Sequence, residues 1–227
     1  PKDLEGIEPG SLIELIRPVY GLNDAPMRWN KELSEYLIGQ GWCPLECDPC
    51  VMVLRKEGRL EGLLMLHVDD LCMGGQSPYF WGKIKELEQR FEFGSFLHGE
   101  GEYLGMKLKQ EADFSIKVDM CGYAQRIRPI KVASHISDET PALPSQVTEA
   151  RGTLGELGWL SKQVRGDLST QVSMGQQSMP RPTVRDIRRI NHCVRRAKQH
   201  DDTVIQYSSI PVSELSFVLH CDSPLCT

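Results

Sequence analysis

The sequence predicts an α+β fold in which an antiparallel sheet is backed by helices and followed by a mostly helical module. Three observations lead to this prediction. Strand-like runs surround the stretch LLMLHVDDLCMGG at residues 63–75. Helical periodicity flanks these runs on both sides, and three further helical stretches follow in the C-terminal half. Hairpins that alternate with helices and then give way to helices are typical of this class.

The first half of the chain should form a helix, a hairpin and a second helix. The motif NDAP before the first helix places capping residues next to a proline, and Glu57-Gly58 suits a tight turn. The second strand is apolar at odd and even positions, so we expect it to be central and covered on both faces. The predicted elements are a helix over 26–38, strands over 51–54 and 60–68, and a helix starting at Ser77-Pro78.

The second half should contain another hairpin, three helices and two short strands. Residues 133–146 are rich in Ser, Pro, Thr and Asp without periodicity, which indicates a linker or module boundary. The last helix has one apolar face and six basic residues on its other faces: Arg185, Arg188, Arg189, Arg195, Arg196 and Lys198. The predicted elements are strands over 103–108 and 115–118, helices near 149–164, 168–179 and 183–200, and strands over 204–207 and 215–220.

The composition indicates a globular chain without a membrane span. Of its 227 residues, 40% are hydrophobic and 25% are charged, and no apolar stretch approaches the roughly 20 residues that a span needs. Eight cysteines without a signal peptide indicate reduced thiols, so we expect a cytosolic or nuclear location and no secretion. The net charge of -5 argues mildly against a general nucleic-acid coat protein, although local basic regions can still bind phosphates.

Two adjacent aspartates, Asp69 and Asp70, lie at the predicted tip of the first hairpin. Neighbouring carboxylates repel each other and are costly to bury unpaired. A divalent cation offsets this cost, since Mg2+ prefers carboxylate oxygens and substrate phosphates. Two such ions about 4 Å apart support phosphoryl transfer. The alternative is a plain polar turn, because aspartate is a favoured turn residue.

A cluster of cysteines supports a second kind of site. Cys43, Cys47 and Cys50 have a C-x3-C-x2-C spacing, and zinc could take His67 as its fourth ligand. Structural zinc ligands usually come as two close pairs, and no second pair follows. A zinc-binding module is therefore a minor alternative. A Cys/His nucleophilic enzyme is weaker still, because no local signature selects a pair.

Several motifs in one order resemble the reverse transcriptase region of Ty1/copia-type retrotransposon polyproteins. The match extends from about Ser11 to Tyr207 with agreeing spacing. HVDD at 67–70 resembles the YVDD box of that family. The other similar segments are YGLNDAPMRW at 20–29 (YGLKQAPRxW in the family), DPC at 48–50 (DPC), YLG at 103–105 (FLG), RGTLG at 151–155 (VGSL) and RGDL at 165–168 (TRPDI).

The resemblance implies a right-hand polymerase, with an antiparallel palm sheet backed by helices and then a mostly helical thumb. It implies that residues 1–118 form part of the palm and that 119–207 form the thumb or connection, with a linker near 133–148. Residues 208–227 would hold the first strand of a truncated RNase H domain. Asp222 matches a metal-binding aspartate of that domain, and a surface aspartate at a frayed end is the alternative.

The resemblance also implies roles for site residues and partners. Asp69 would bind a catalytic Mg2+ (or Mn2+) pair, Asp70 would support the site, and Trp29 would pack. Gly21, Asn23, Asp24, Ala25 and Pro26 would lie near the template and nucleotide, and Tyr103, Leu104 and Gly105 would grip the primer. The implied partners are an RNA or DNA primer-template, dNTP and the N-terminal palm and fingers, integrase and RNase H parts of the polyprotein, in a cytoplasmic virus-like particle or the nucleus.

The sequence departs from the family pattern in several places. The family supplies a third carboxylate on a strand upstream of the part that matches Pro1, so the chain looks cut from a longer one and we expect no polymerisation by it alone. His67 replaces the box tyrosine, Asn23-Asp24 replaces Lys-Gln, and Gly166 replaces a proline. These changes indicate an eroding copy, and a noncatalytic nucleic-acid-binding remnant is the main alternative. The basic helix 183–200 fits either a duplex contact or a solvated face.

Overall fold

The chain divides into two compact units, each with its own antiparallel sheet. The computed structural model describes residues 23–91, 93–211, 214 and 216. The units are Pro1–Phe96 and Leu97–Thr227. Their mixed helix and strand content agrees with the predicted α+β class. The boundary between palm and thumb, placed between residues 118 and 119 from the sequence, stays a prediction.

Unit 1 is a four-stranded sheet with helices on one face. Its strands lie in the order β1-β2-β3-β4, and all neighbouring pairs are antiparallel. The two predicted helices and the predicted hairpin are confirmed within one or two residues. The elements are α1 (Ala25–Gly39), β1 (Trp42–Pro44), β2 (Val51–Lys56), β3 (Arg59–His67), β4 (Asp70–Gly75) and α2 (Pro78–Arg90).

The core of unit 1 lies between its sheet and both helices. Side chains of α2 recur at helical spacing, which places Phe80, Ile84 and Leu87 on one buried face. The Ser77 hydroxyl caps this helix by accepting the Phe80 N–H at 3.1 Å. The buried cluster consists of Leu33, Leu37, Trp42, Met52, Leu54, Leu64, Leu66, Phe80, Ile84, Leu87 and Phe91.

The second face of β3 is less covered than the sequence predicts. The strand is central, between β2 and β4, as expected. However, Leu63 and Met65 are 41% and 40% exposed, so the prediction of two covered faces is wrong for this strand. Both helices of unit 1 pack on the opposite face, where Leu64 and Leu66 are buried. Apolar composition alone did not reveal which face the helices take.

Unit 2 combines a second four-stranded sheet with a helical cluster. Its strands lie in the order β5-β6-β7-β8, all antiparallel. The predicted strand over 103–108 is interrupted by a turn at Leu104-Gly105, whose φ values are 54° and 74°. The predicted strand over 215–220 falls outside the described residues. The elements are β5 (Glu100–Tyr103), β6 (Met106–Gln110), β7 (Ile116–Asp119), α3 (Tyr123–Arg126), α4 (Pro144–Gln163), a 3-10 turn (Gly166–Leu168), α5 (Ser169–Ser178), α6 (Val184–Gln199) and β8 (Val204–Tyr207).

Residues 133–139, called here the strap, are bound to α6. Arg188 donates to the backbone carbonyls of Ala133, Ser134 and Ile136 at 3.2, 3.2 and 2.9 Å. Arg188 also forms an ion pair with Asp138. The segment interpreted as a linker is therefore held within unit 2, and its role as a boundary between functional domains stays a prediction. Among the described helices, none has the length and apolar character that a membrane crossing requires.

Candidate active site on the β3–β4 hairpin

The adjacent aspartates lie at the turn that joins β3 to β4. His67 ends β3 and pairs across the ladder with Asp70, so the turn itself consists of Val68 and Asp69. Val68 has a φ of 54°, which is a strained conformation for a β-branched residue. A positive φ at the first central residue is typical of type II′ hairpin turns, which usually place glycine there. Such strain persists only where the surrounding structure holds it.

Both carboxylates of this turn are exposed to solvent. The residues from His67 to Asp70 are exposed, whereas Leu64 and Leu66 on the same strand are buried in the core of unit 1. Buried strand residues therefore hold an exposed acidic tip. The tip position agrees with the sequence prediction, and the metal-binding role of Asp69 and Asp70 stays a prediction.

The donor chemistry of the tip suits a hard cation but leaves the site incomplete. Mg2+ is commonly held by one or two carboxylates together with substrate phosphates and water. Asp69 and Asp70 supply such oxygens. Within the part of the chain that the structure describes, no three His, Cys, Asp or Glu side chains group so that they could hold a metal ion. A third carboxylate does not join this pair there.

The cysteine cluster does not assemble into a zinc site. Cys43, Cys47 and Cys50 are all exposed, free thiols. Among the described residues, neither these thiols nor His67 belong to a group of three side chains that could hold a metal ion. Asp48 instead accepts the backbone N–H of Cys50 at 2.9 Å, which is an ordinary turn contact. The zinc alternative therefore has no support in the described structure.

The acidic residue Asp24, which directly precedes α1, pairs with a side chain of that helix. Asp24 occupies the N-cap position, but its side chain makes no capping hydrogen bond, so the predicted side-chain cap is wrong. Its carboxylate pairs with the Arg28 guanidinium at 2.7 Å, one turn further along. Asn23 is exposed, and Gly21 lies outside the described residues. Ala25 and Pro26 form the first turn of α1, and their contact with nucleotide stays a prediction.

Trp29 packs in unit 1, as expected. Its ring meets Phe91 edge-on, with centroids 5.2 Å apart. The ring is partly buried against the core. The proposed primer-grip residues belong to unit 2, where Tyr103 ends β5 and Leu104-Gly105 form the turn to β6. Their grip on a primer stays a prediction, and Asp222 lies outside the described residues.

Several arginines of α6 already have acidic partners. Arg185 pairs with Glu139 of the strap and lies 3.9 Å from Asp138, which also pairs with Arg188. Sequence reasoning missed these contacts, because the strap lies about 50 residues away along the chain. The acidic pair Asp138-Glu139 in a stretch read as a linker was the available signal.

Residues 4–144 match the family model described as reverse transcriptase (RNA-dependent DNA polymerase). This match covers more than half of the chain and includes the whole β3–β4 hairpin. The chain belongs to the reverse transcriptase family. The copia-type region that its motifs indicated is thereby confirmed, together with the relatives described next.

Proteins similar to this chain come from transposons. The Retrovirus-related Pol polyprotein from transposon RE1 of Arabidopsis thaliana is 26% identical over 207 residues, which are 86% of this chain and 14% of RE1. A transposon Ty5-1 protein of Saccharomyces cerevisiae is 21% identical over 228 residues, which are 95% of this chain and 73% of that protein. The Pol polyprotein from transposon RE2 of Arabidopsis thaliana is 27% identical over 187 residues, which are 77% of this chain and 13% of RE2. No solved structure matches the chain.

Proposed function

We propose that this reverse transcriptase chain carries two metal-binding carboxylates, Asp69 and Asp70, for nucleotidyl transfer onto a primer 3′ end. The observation that carries the proposal is the exposed acidic tip of the β3–β4 hairpin. The turn holds Val68 in a strained conformation, and buried residues of β3 fix the strand that leads to it. Strained turns that present charged groups to solvent are common where a site needs a defined geometry.

The proposed substrate is an RNA or DNA primer-template with dNTP. Asp69 and Asp70 would hold Mg2+ or Mn2+, which supplies charge stabilisation of the phosphates and activation of the attacking oxygen. The Leu104-Gly105 turn is proposed to contact the primer, and the residues from Asn23 to Pro26 to lie near the nucleotide. This chain covers only 14% of RE1 and 13% of RE2. We therefore propose that its partners include integrase and RNase H parts that lie on other segments of a polyprotein.

We also propose that the 227-residue chain does not polymerise unaided. Only two carboxylates group at the hairpin tip among the described residues, and the family resemblance assigns a third to a strand upstream of the matched part. With two ligands, binding of metal in the absence of nucleotide should be weak. Asp24, where the family pattern has glutamine, pairs with Arg28 on α1 and is not part of the hairpin tip.

A manganese titration tests the metal-binding role without requiring activity. Paramagnetic Mn2+ should broaden the backbone amide NMR signals of residues 66–71 in the wild-type chain. The double variant Asp69→Asn with Asp70→Asn should lose this broadening. Glu57→Gln is the matched control, because Glu57 is an exposed acidic residue in the other hairpin turn of β3. Equal broadening in the wild type and the double variant would refute the proposed site.

Primer extension tests the catalytic part. The 227-residue chain should extend no primer with Mg2+ or Mn2+, whereas a longer polypeptide that includes the upstream strand should extend it. Asp69→Asn should abolish that extension, since loss of a metal ligand removes the charge stabilisation that the reaction needs. Primer extension by the 227-residue chain alone would refute the proposal that its metal site is incomplete. Undiminished extension by the Asp69→Asn variant would refute the proposal that Asp69 binds the catalytic metal.

A noncatalytic nucleic-acid-binding remnant is the second candidate function. The departures from the family pattern at His67 and Asn23-Asp24, where contacts with the primer end and the nucleotide would lie, favour it. It shares the fold and the basic helix with the polymerase proposal and differs only in chemistry. If the longer polypeptide binds a primer-template and never extends it, the remnant is the correct assignment.

A further inference from the structure

A shallow cleft runs along the outer face of the second half of α6. Its volume is about 330 Å3. The lining residues recur at helical spacing along one helix: His192, Arg195, Arg196, Gln199 and His200. Every one of them is exposed. Guanidinium, imidazole and amide groups all donate hydrogen bonds, so the cleft presents donors for an anion.

The first half of α6 has no comparable excess of charge. Arg185 and Arg188 are matched by Asp138 and Glu139 of the strap. Arg188 also donates hydrogen bonds to three backbone carbonyls of the strap. These contacts place the two arginines in the structure of unit 2 and leave little of their charge for a ligand.

The second half of α6 keeps uncompensated positive charge. Arg196 lies 3.4 Å from Asp167, but that carboxylate already pairs with buried Arg165 at 2.8 Å. One acid therefore faces two guanidinium groups. Arg195 has no acidic partner among the described residues. Two acids follow the helix: Asp201 is directed to the Gly122 N–H at 2.9 Å, and Asp202 is exposed.

We propose that this cleft, here the α6 phosphate cleft, binds backbone phosphates of a nucleic-acid duplex through Arg195 and its neighbours. Arginine is suited to phosphate because its planar donors match the oxygens in pairs. Such contacts position a duplex without reading its sequence. The inference rests on the proposed nucleic-acid substrate, and it assigns the contact to Arg195 rather than to Arg185 or Arg188.

A pair of matched charge variants tests the cleft. Binding of a fluorescent primer-template duplex is measured by anisotropy at several salt concentrations, with EDTA present so that Asp69 and Asp70 hold no metal. Arg195→Gln and Arg185→Gln remove the same charge from the same helix, so their effect on the long-range field is similar. Arg195→Gln should weaken binding roughly three- to tenfold and lower the salt slope by about one. Arg185→Gln should stay close to the wild type in both measures.

Each outcome decides the proposal. Equal effects of the two variants, or no duplex binding by the wild-type chain, would overturn it. Binding of inorganic phosphate at Arg195 without binding of the duplex there would show a site for free phosphate and would also overturn it. Because the assay contains no metal, a failed primer extension leaves a positive result intact. Conversely, Asp69→Asn should bind the duplex as the wild type does, so failure of the catalytic proposal and failure of the cleft can be told apart.

Discussion

The buried guanidinium of Arg165 donates to both carboxylate oxygens of Asp167, at 2.8 and 2.9 Å. Its Nη1 also donates to the backbone carbonyls of Ala197 and His200, at 3.1 and 2.7 Å. The Arg165 side chain is 3% exposed. Arg165 therefore ties the 3-10 turn to the end of α6, where helix carbonyls lack partners of their own. The RGDL motif has a structural task in unit 2.

Removal of Arg165 should destabilise unit 2 strongly. Arg165→Met removes a donor from the carbonyls of Ala197 and His200, although Thr203 still donates to His200. It also leaves Asp167 with Arg196 alone, so the total cost should be about 2–4 kcal/mol after allowance for the partial exposure of Asp167. Arg196→Met is the matched control, because Arg196 pairs with the same carboxylate from an exposed position. It should cost at most about 1 kcal/mol. Native-state hydrogen exchange of the α6 amides measures both, and similar losses would refute the assigned role of Arg165.

Acidification should weaken unit 2 through Asp167. The hydrogen bonds from Arg165 and the charges of Arg165 and Arg196 hold the pKa of Asp167 below its ordinary value. A lowered pKa in the folded state adds stability that is present above the unfolded pKa of about 3.9 and is lost as the pH falls through the folded pKa. Stability of the wild type should therefore fall below about pH 4. The variant Asp167→Asn should show a shallower fall over the same window.

Other carboxyl groups of unit 2 also contribute to the pH dependence of its stability. Glu111 and Asp113 also have lowered pKa values, because of Lys117 and Ser115 respectively, so some acid sensitivity should remain in Asp167→Asn. Hydrogen exchange of α6 amides between pH 5 and 2.5, corrected for the intrinsic exchange rate, is the measurement. Parallel curves for the wild type and Asp167→Asn would contradict the prediction.

The sequence predicts elements well where local periodicity is strong. Phe80, Ile84 and Leu87 identify α2 because their spacing is helical, and Gly58 identifies a turn because glycine accepts the positive φ that the turn requires. The turn at Leu104 was missed because leucine rarely takes a φ of 54°, and only Gly105 gave a local signal. The chain had no polar break at that point.

The sequence did not predict the contacts between segments that lie far apart along the chain. The pairing of Arg185 and Arg188 with Asp138 depends on how the strap lies against α6, and no local pattern encodes it. The sequence therefore did not separate the arginines of the basic helix that pair with the strap from those that do not. The acidic hairpin tip was predictable because adjacent aspartates between apolar runs are a local signal, whereas its completion by a third ligand depends on distant segments.

Gly75 should tolerate no side chain. A Cβ added there would lie 2.5 Å from the Phe80 ring and 2.7 Å from the Glu61 carbonyl oxygen, so the packing of α2 on the sheet would have to shift. Gly75→Ala should cost about 1–3 kcal/mol. Gly74→Ala is the matched control, because nothing lies within 4 Å of its Cβ position. It should change stability by less than about 0.5 kcal/mol.

Hydrogen exchange of β3 amides reports this cost within unit 1. The two glycines are neighbours on the same edge strand. The change in β-strand propensity and the change in conformational entropy of the unfolded chain are therefore similar in both variants, and the difference between them reports the steric contact. If Gly75→Ala is as stable as Gly74→Ala, the Phe80 ring does not lie against the sheet as described. Gly62 faces the same ring, with 2.2 Å to its Cβ position, and Gly62→Ala should follow Gly75→Ala.

The cysteines should divide into reactive and protected groups. Cys43, Cys47 and Cys50 are exposed, so alkylation under native conditions should modify them first. Cys193 is buried, and desolvation together with the charge of Asp167 raises its pKa, so little thiolate forms near neutral pH. It should react only as unit 2 opens. Mass spectrometry of timed alkylation, with and without added Zn2+, measures both effects. Stoichiometric protection of Cys43, Cys47 and Cys50 by zinc, with exposed Cys121 left reactive, would contradict the absence of a metal group among the described residues.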